Sequence, residues 1–146
     1  PAGNGMALGT ALLRVKLNWS ETTTPCISDA THSPRSFFST GAGPEIALTF
    51  YNQLFMANSN GFPRLGNNLV KDGDNLLAVS WGPDGSVLFA NGKSAANKAV
   101  TAIKKGGYLQ LGPNIDGIVE EFTVLNTQMT ATQLDTVWKA LQQTPP

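Results

Sequence analysis

GGYLQLGPNIDGIVEEFTVLNTQMTATQLDTVWKAL, residues 106–141, is the stretch that decides the fold. Leu109 and Leu111 form a short alternating apolar pair, and Pro113-Asn114 breaks the run. Over residues 117–125 an extended chain puts Val119, Glu121, Thr123 and Leu125 on one side. Ile118, Glu120, Phe122 and Val124 fall on the other, because side chains alternate faces with period two. This pattern predicts two strands around a tight loop. Thr130 and Gln133 follow at capping-box spacing, where hydroxyl and amide satisfy first-turn backbone donors. Leu134, Val137, Trp138 and Leu141 then recur at i, i+3, i+4 and i+7, the apolar stripe of a short helix. Such a helix is marginal alone in water, so it must lie on the sheet.

Outward from this segment the chain alternates repeatedly. Residues 11–19 make the cleanest strand, with Leu13, Val15, Leu17 and Trp19 facing in and Arg14, Lys16 and Asn18 facing out. One face is packed and the other wet or covered. Residues 45–51 alternate Ile46, Leu48 and Phe50 against Ala47, Thr49 and Tyr51; Asn52-Gln53 turns, and residues 54–57 return as the paired strand. Residues 62–69 read as an edge strand blunted by Pro63. Asp72-Gly73-Asp74-Asn75 opens a strand over residues 76–81 in which Leu77, Val79 and Trp81 share a face. Pro83-Asp84-Gly85 and Asn91-Gly92 are turn signals, because these residue types tolerate the positive φ of tight hairpins. The expected core is Leu13, Val15, Leu17, Leu48, Phe50, Val79, Leu111, Phe122 and Val124, with Trp19, Trp81 and Trp138 also on apolar-periodic faces. The polar, Ser/Thr/Pro-rich residues 20–43 are too long for a hairpin turn and are expected to hold one short strand around residues 35–39.

Composition agrees with one domain of short strands and turns: 146 residues, 15 Gly and 9 Pro. The expected organisation is an N-terminal arm over residues 1–8, one domain over 9–142 and a tail over 143–146. The 14% charged content and zero formal net charge give no basic cluster for nucleic acid or anionic lipid, so neither partner is expected. No run is long and apolar enough to span a membrane as a helix, and the first residues lack the basic-then-apolar order of a signal peptide. The single Cys26 excludes an internal disulfide, leaving the fold to packing.

The closing segment is similar to that of concanavalin A-like (laminin G-like) jelly rolls. The resemblance rests on Leu109, Leu111, Gly112, Asp116, Gly117, Glu120, Glu121, Phe122, Val124, Asn126 and Thr130. The order Trp81, Asp84-Gly85, Val87-Leu88-Phe89, Asn91-Gly92-Lys93 resembles the same family's tryptophan-strand hairpin. One departure stands out: the aromatic-His pair usual before that strand is replaced by Asn75-Leu76. The resemblance covers roughly residues 11–141. It implies an all-β fold, an antiparallel β-sandwich of two curved sheets with one short C-terminal α-helix.

Catalytic readings are weak. The family's glycosidases carry a Glu-x-Asp-x-x-Glu strand that places carboxylates on one face, and no such string occurs here. Glu120 and Glu121 are adjacent, so on a regular strand they point to opposite faces and cannot flank one bond. Glu121, on the leucine-bearing face of a central strand, is expected to accept from loop donors and serve structure. His32 with Cys26 or a Ser sits in a polar loop with no nucleophile elbow, so no enzyme is expected. One Cys and one His exclude a zinc site. The resemblance implies that rim groups such as Asp72, Asp74, Asp116 or Glu120 could hold calcium; turn chemistry explains the three aspartates without metal, and no cofactor is expected.

Binding remains. Sugar sites join an apolar platform to amide, carboxylate or guanidinium groups. Tyr51, Asn52 and Gln53 at one hairpin, and Phe62, Arg64 and Asn67 in another loop, are the candidate ligand-binding residues. The expected function is a lectin-like, adhesive module. It would bind a cell-surface glycan while displayed on a larger assembly such as a phage virion, as a capsid decoration, tail or spike component, at the virion surface or extracellularly. The alternative is a purely structural virion protein that uses the jelly roll as a brick.

Overall fold

Residues 73–82 show why the chain needs three layers. The run Leu76-Leu77-Ala78-Val79-Ser80-Trp81 is buried throughout, on both faces of one strand, so something must cover each face. The computed structural model describes residues 6–18, 36–40, 45–48, 54–57, 65, 69–98, 110–111 and 117–143; for residues 36, 38, 39, 45–48, 54–57 and 97 it describes the backbone alone. Among these residues lie β1 (Gly9–Leu17), β2 (Ser36–Ser39), β3 (Glu45–Leu48), β4 (Leu54–Ala57) and β5 (Gly73–Gly82). β6 (Gly85–Ala90), β7 (Lys93–Asn97), β8 (Gln110–Leu111), β9 (Gly117–Leu125) and α1 (Ala131–Gln143) follow. One sheet has the order β7-β6-β5-β1-β9 and the other β4-β3-β2-β8. All pairings are antiparallel.

The inner face of the five-stranded sheet carries Ala11, Leu13, Val15, Leu17, Leu77, Val79, Trp81, Leu88 and Ala90, joined in one cluster by Phe37 of β2. This is the sandwich core. Leu77 and Val79 are fully buried, each worth about 1.5–3 kcal/mol of transfer free energy. The outer face carries Leu76, Ala78 and Phe89, covered by Leu134 of α1. Leu12, Val137, Trp138 and Leu141 surround that second cluster. The helical stripe thus covers the sheet's outer face.

The hairpin turns follow the sequence signals. Asn91 (φ 48°) and Gly92 (φ 91°) form the β6–β7 turn, the two positive φ values that a right-handed hairpin twist favours. The helix starts at the expected capping box: Gln133 N–H donates to Thr130 Oγ1 at 3.2 Å and Thr130 N–H to Gln133 Oε1 at 2.8 Å.

Several expectations need correction. β8 pairs with β2 and β9 with β1, so the chain passes from one sheet to the other between them and makes no hairpin. Leu111 is 38% exposed rather than core, because its two-residue strand sits at the edge of the four-stranded sheet. Phe122 and Val124 are partly buried against the core. β9 is the edge of its sheet, not a central strand, and Glu121 is exposed. Its partner is Arg14, not a loop amide. The register jumps from Arg14↔Glu121 to Val15↔Val119, which makes Glu120 the extra residue of a β-bulge. The bulge cancels one step of the alternation. Glu120 and Glu121 therefore approach the same guanidinium, at 3.6 and 3.5 Å, instead of pointing to opposite faces. Trp81 is buried, Trp138 is half-buried beside the outer cluster, and Trp19, Leu48's side chain and Phe50 lie outside the described residues.

Candidate functional site

The six candidate ligand-binding residues, Tyr51, Asn52, Gln53, Phe62, Arg64 and Asn67, lie outside the described residues, as do Cys26, His32 and Asp116. Asp72 and Asp74 are exposed. Among the described residues no three His, Cys, Asp or Glu side chains gather as a metal-holding group.

The described residues enclose a different candidate. A cavity of about 300 Å³ opens where the β5–β6 turn meets the start of α1, at the small end of the range for ligand sites and roomy enough for one sugar ring. Its polar lining is Asp84, Ser86, Gln128 and Thr130, and its apolar lining is Val87, Ala96, Met129 and Ala131. The sequence brings these together through three local devices. Pro83 and Asp84 turn the hairpin and Gly85 follows at φ 109°, leaving the Asp84 side chain exposed at the tip. Gln128 Nε2 donates to Gly85 O at 2.9 Å and ties that tip to the segment leading into the helix. Thr10 Oγ1 donates to Thr127 O at 2.7 Å and accepts from Met129 N–H at 2.9 Å, pinning the same segment to β1. Gly82 leaves room for this arrangement, since a Cβ there would displace the Gln128 amide.

Such a cavity can grip a polyol. The Asp84 carboxylate can accept from hydroxyls of a polyol, and the Gln128 amide keeps a second N–H and its Oε1 beyond the bond to Gly85. The Val87, Ala96, Met129 and Ala131 side suits the C–H face of a ring. The first-turn N–H groups of α1 add partial positive charge nearby.

A second cavity of about 240 Å³ lies farther along α1, lined by Leu12, Arg14, Leu76, Glu121, Val137 and Leu141. The Arg14–Glu120–Glu121 cluster flanks it, and Glu121 Oε1 also accepts from Thr123 Oγ1 at 3.1 Å.

No protein-family model matches the chain, and no curated protein does. Solved structures do match. A Trypanosoma rangeli sialidase aligns at 8% identity and TM-score 0.62, over 93% of this chain and 23% of its own. A native heptameric SAP-like pentraxin from Limulus polyphemus aligns at 16% identity and TM-score 0.61, over 92% of this chain and 71% of its own. A binding domain of botulinum neurotoxin DC in complex with SialylT aligns at 13% identity and TM-score 0.56, over 94% of this chain and 36% of its own. These are β-sandwich, jelly-roll folds, and at such identities the likeness is one of fold. The chain spans about a quarter of the sialidases it resembles.

Asp84 and Thr130 carried sequence signals, as turn and cap residues, but nothing marked them as neighbours. Gln128 and Gly85 stand 43 residues apart, and only the placement of α1 over the five-stranded sheet joins them.

Proposed function

We propose that the domain is a non-enzymatic, concanavalin A-like, lectin-like module that binds glycans in the cavity between the β5–β6 turn and α1. The observation that carries this is the lining of that cavity: a carboxylate, an amide and hydroxyls around an apolar side, held by hydrogen bonds from Gln128 and Thr10. The neighbours support it in kind, since a T. rangeli sialidase holds sialic acid and the botulinum binding domain holds SialylT. On the side of binding rather than catalysis, the sequence lacks the Glu-x-Asp-x-x-Glu string of the resembled glycosidases.

Affinity for a single sugar is expected in the millimolar to micromolar range, about 4–8 kcal/mol. Asp84→Ala is expected to weaken binding about tenfold, the loss of one charge-assisted hydrogen bond, while the exposed turn leaves the melting temperature within a few degrees. Titration of the variant with a bound glycan checks this; unchanged affinity would place the sugar elsewhere. No cofactor enters this reading. Chelation of calcium is expected to leave melting temperature and glycan binding unchanged, and a large drop restored by calcium would show a metal linked to folding.

Display on a larger assembly, such as a virion surface, is the second part of the proposal, with a purely structural brick as its rival. The observation behind it is that β9 stands at the edge of its sheet with Ile118 and Val119 exposed, an edge of the kind another chain can pair with. Trp81 Nε1 donates to Met6 O at 3.2 Å, so the deletion that tests the proposed arm (residues 1–8) stops at residue 5 and leaves that bond in place. Deleting residues 1–5 is expected to abolish particle association and spare glycan binding. Retained association would remove the arm from this role.

A further inference from the structure

The cavity along the C-terminal half of α1 has walls and charge that point to one ligand class. Leu12 of β1, Leu76 of β5 and Val137 and Leu141 of α1 form its aliphatic walls. Leu12, Val137 and Leu141 are only half-buried, so an occupant would remove further apolar surface from water. At about 240 Å³ the space exceeds the roughly 150 Å³ of leucine-lined cavities that take up small apolar molecules.

The rim is electronegative. Arg14 faces both Glu120 and Glu121 at 3.6 and 3.5 Å, longer than the roughly 2.7–2.9 Å of a strong charge-assisted bond. Among the described residues, one cation against two carboxylates leaves a net negative charge and open acceptor positions on both. Lys16, next on that face of β1, stands opposite Asp74 in register, and Lys139 of α1 is held by Asp135 at 2.7 Å. Counted with the aspartates beside them, these two lysines add no net charge, so one carboxylate remains in surplus. The last turn of α1 carries no basic residue, so the negative pole of the helix lies at the same end of the cavity.

We propose that this cavity binds a primary alkylammonium: a chain of about four to six carbons between Leu12, Leu76, Val137 and Leu141, a length suited to that volume, with its –NH3+ on Glu120 and Glu121. An anionic amphiphile is disfavoured because the one guanidinium already faces two carboxylates. The site is separate from the cavity at the start of α1, so its outcome is independent of glycan binding.

The test is methyl-resolved NMR of the intact chain titrated with n-hexylammonium, n-hexanol and hexanoate. Hexylammonium is expected to shift the methyl signals of Leu12, Leu76, Val137 and Leu141 saturably, and to bind about tenfold tighter than hexanoate, a modest return for one unit charge near a protein surface. Glu120 and Glu121 lie on the surface, so the double variant Glu120→Gln/Glu121→Gln keeps the fold and is expected to erase that preference. Val137→Trp, which fills the space, is expected to abolish the shifts. The proposal is overturned if those methyls do not respond, if hexanol or hexanoate binds as tightly as the amine, or if the double variant retains the preference.

Discussion

Trp81→Ala is expected to lower the thermal midpoint by about 10–15 °C, the equivalent of about 3–5 kcal/mol in a domain of this size. The indole is fully buried in the inner cluster. It lies so close to β1 that a Cβ on Gly9 would come within 2.6 Å of its Cζ2. Removal leaves a large void between sheets that a rigid sandwich fills poorly, and it strips Met6 O of its donor. Since a native domain has only about 5–15 kcal/mol in total, one substitution takes a large share. Urea or thermal unfolding measures it; a cost under about 1 kcal/mol, the range of ordinary surface changes, would mean that Trp81 is not at the heart of the core.

Asn75→Ala is expected to cost about 2–4 kcal/mol through lost hydrogen bonds to buried groups. Asn75 is 3% exposed and uses its whole amide. Nδ2 donates to Lys71 O at 2.7 Å and Gly73 O at 2.9 Å, while Oδ1 accepts from Lys71 N–H at 3.0 Å and Asn91 Nδ2 at 2.8 Å. Asn91 extends the ladder, donating to Leu69 O at 2.7 Å and accepting from Leu76 N–H at 2.8 Å. The ladder fixes residues 69–73 to the β6–β7 turn. The Lys71 ammonium lies 5.5 Å from the Trp138 ring, and Gly92 abuts the same indole, so the helix is held at this corner too. The control is Asp74→Ala, exposed and expected to change stability by less than about 0.5 kcal/mol. Equal effects in the two variants would dissolve the ladder's role.

What the sequence made legible was whatever local chemistry determines. Alternation located β1 and β5, Asn91-Gly92 located a hairpin turn, and the Thr130–Gln133 spacing located the helix start. What stayed hidden depended on distant segments. Leu76 and Ala78 read as the outward face of an alternating strand, yet they are buried because α1 covers them. Asn75 read as a departure from a family pattern and turned out to be a buried, fully bonded amide. The bulge at Glu120 follows from the pairing with β1 and leaves no mark on the Glu-Glu dipeptide. The cavity between the β5–β6 turn and α1 is the extreme case, because its polar residues share a site only after the hairpin tip and the helix entry meet. The six candidate ligand residues lie outside the described residues, and the cavity at Asp84 and Gln128 is proposed beside them.

Glycan-array binding of the purified, multimerised domain tests the central claim most directly, because multivalent presentation raises weak single-site affinities by about 10²–10⁴-fold into the detectable range. A defined subset of glycans should bind, should be recovered uncleaved, and should lose signal with Asp84→Ala under conditions where circular dichroism still shows the β-rich fold. A folded domain that binds no glycan on a broad array, or one that hydrolyses what it binds, would contradict the account.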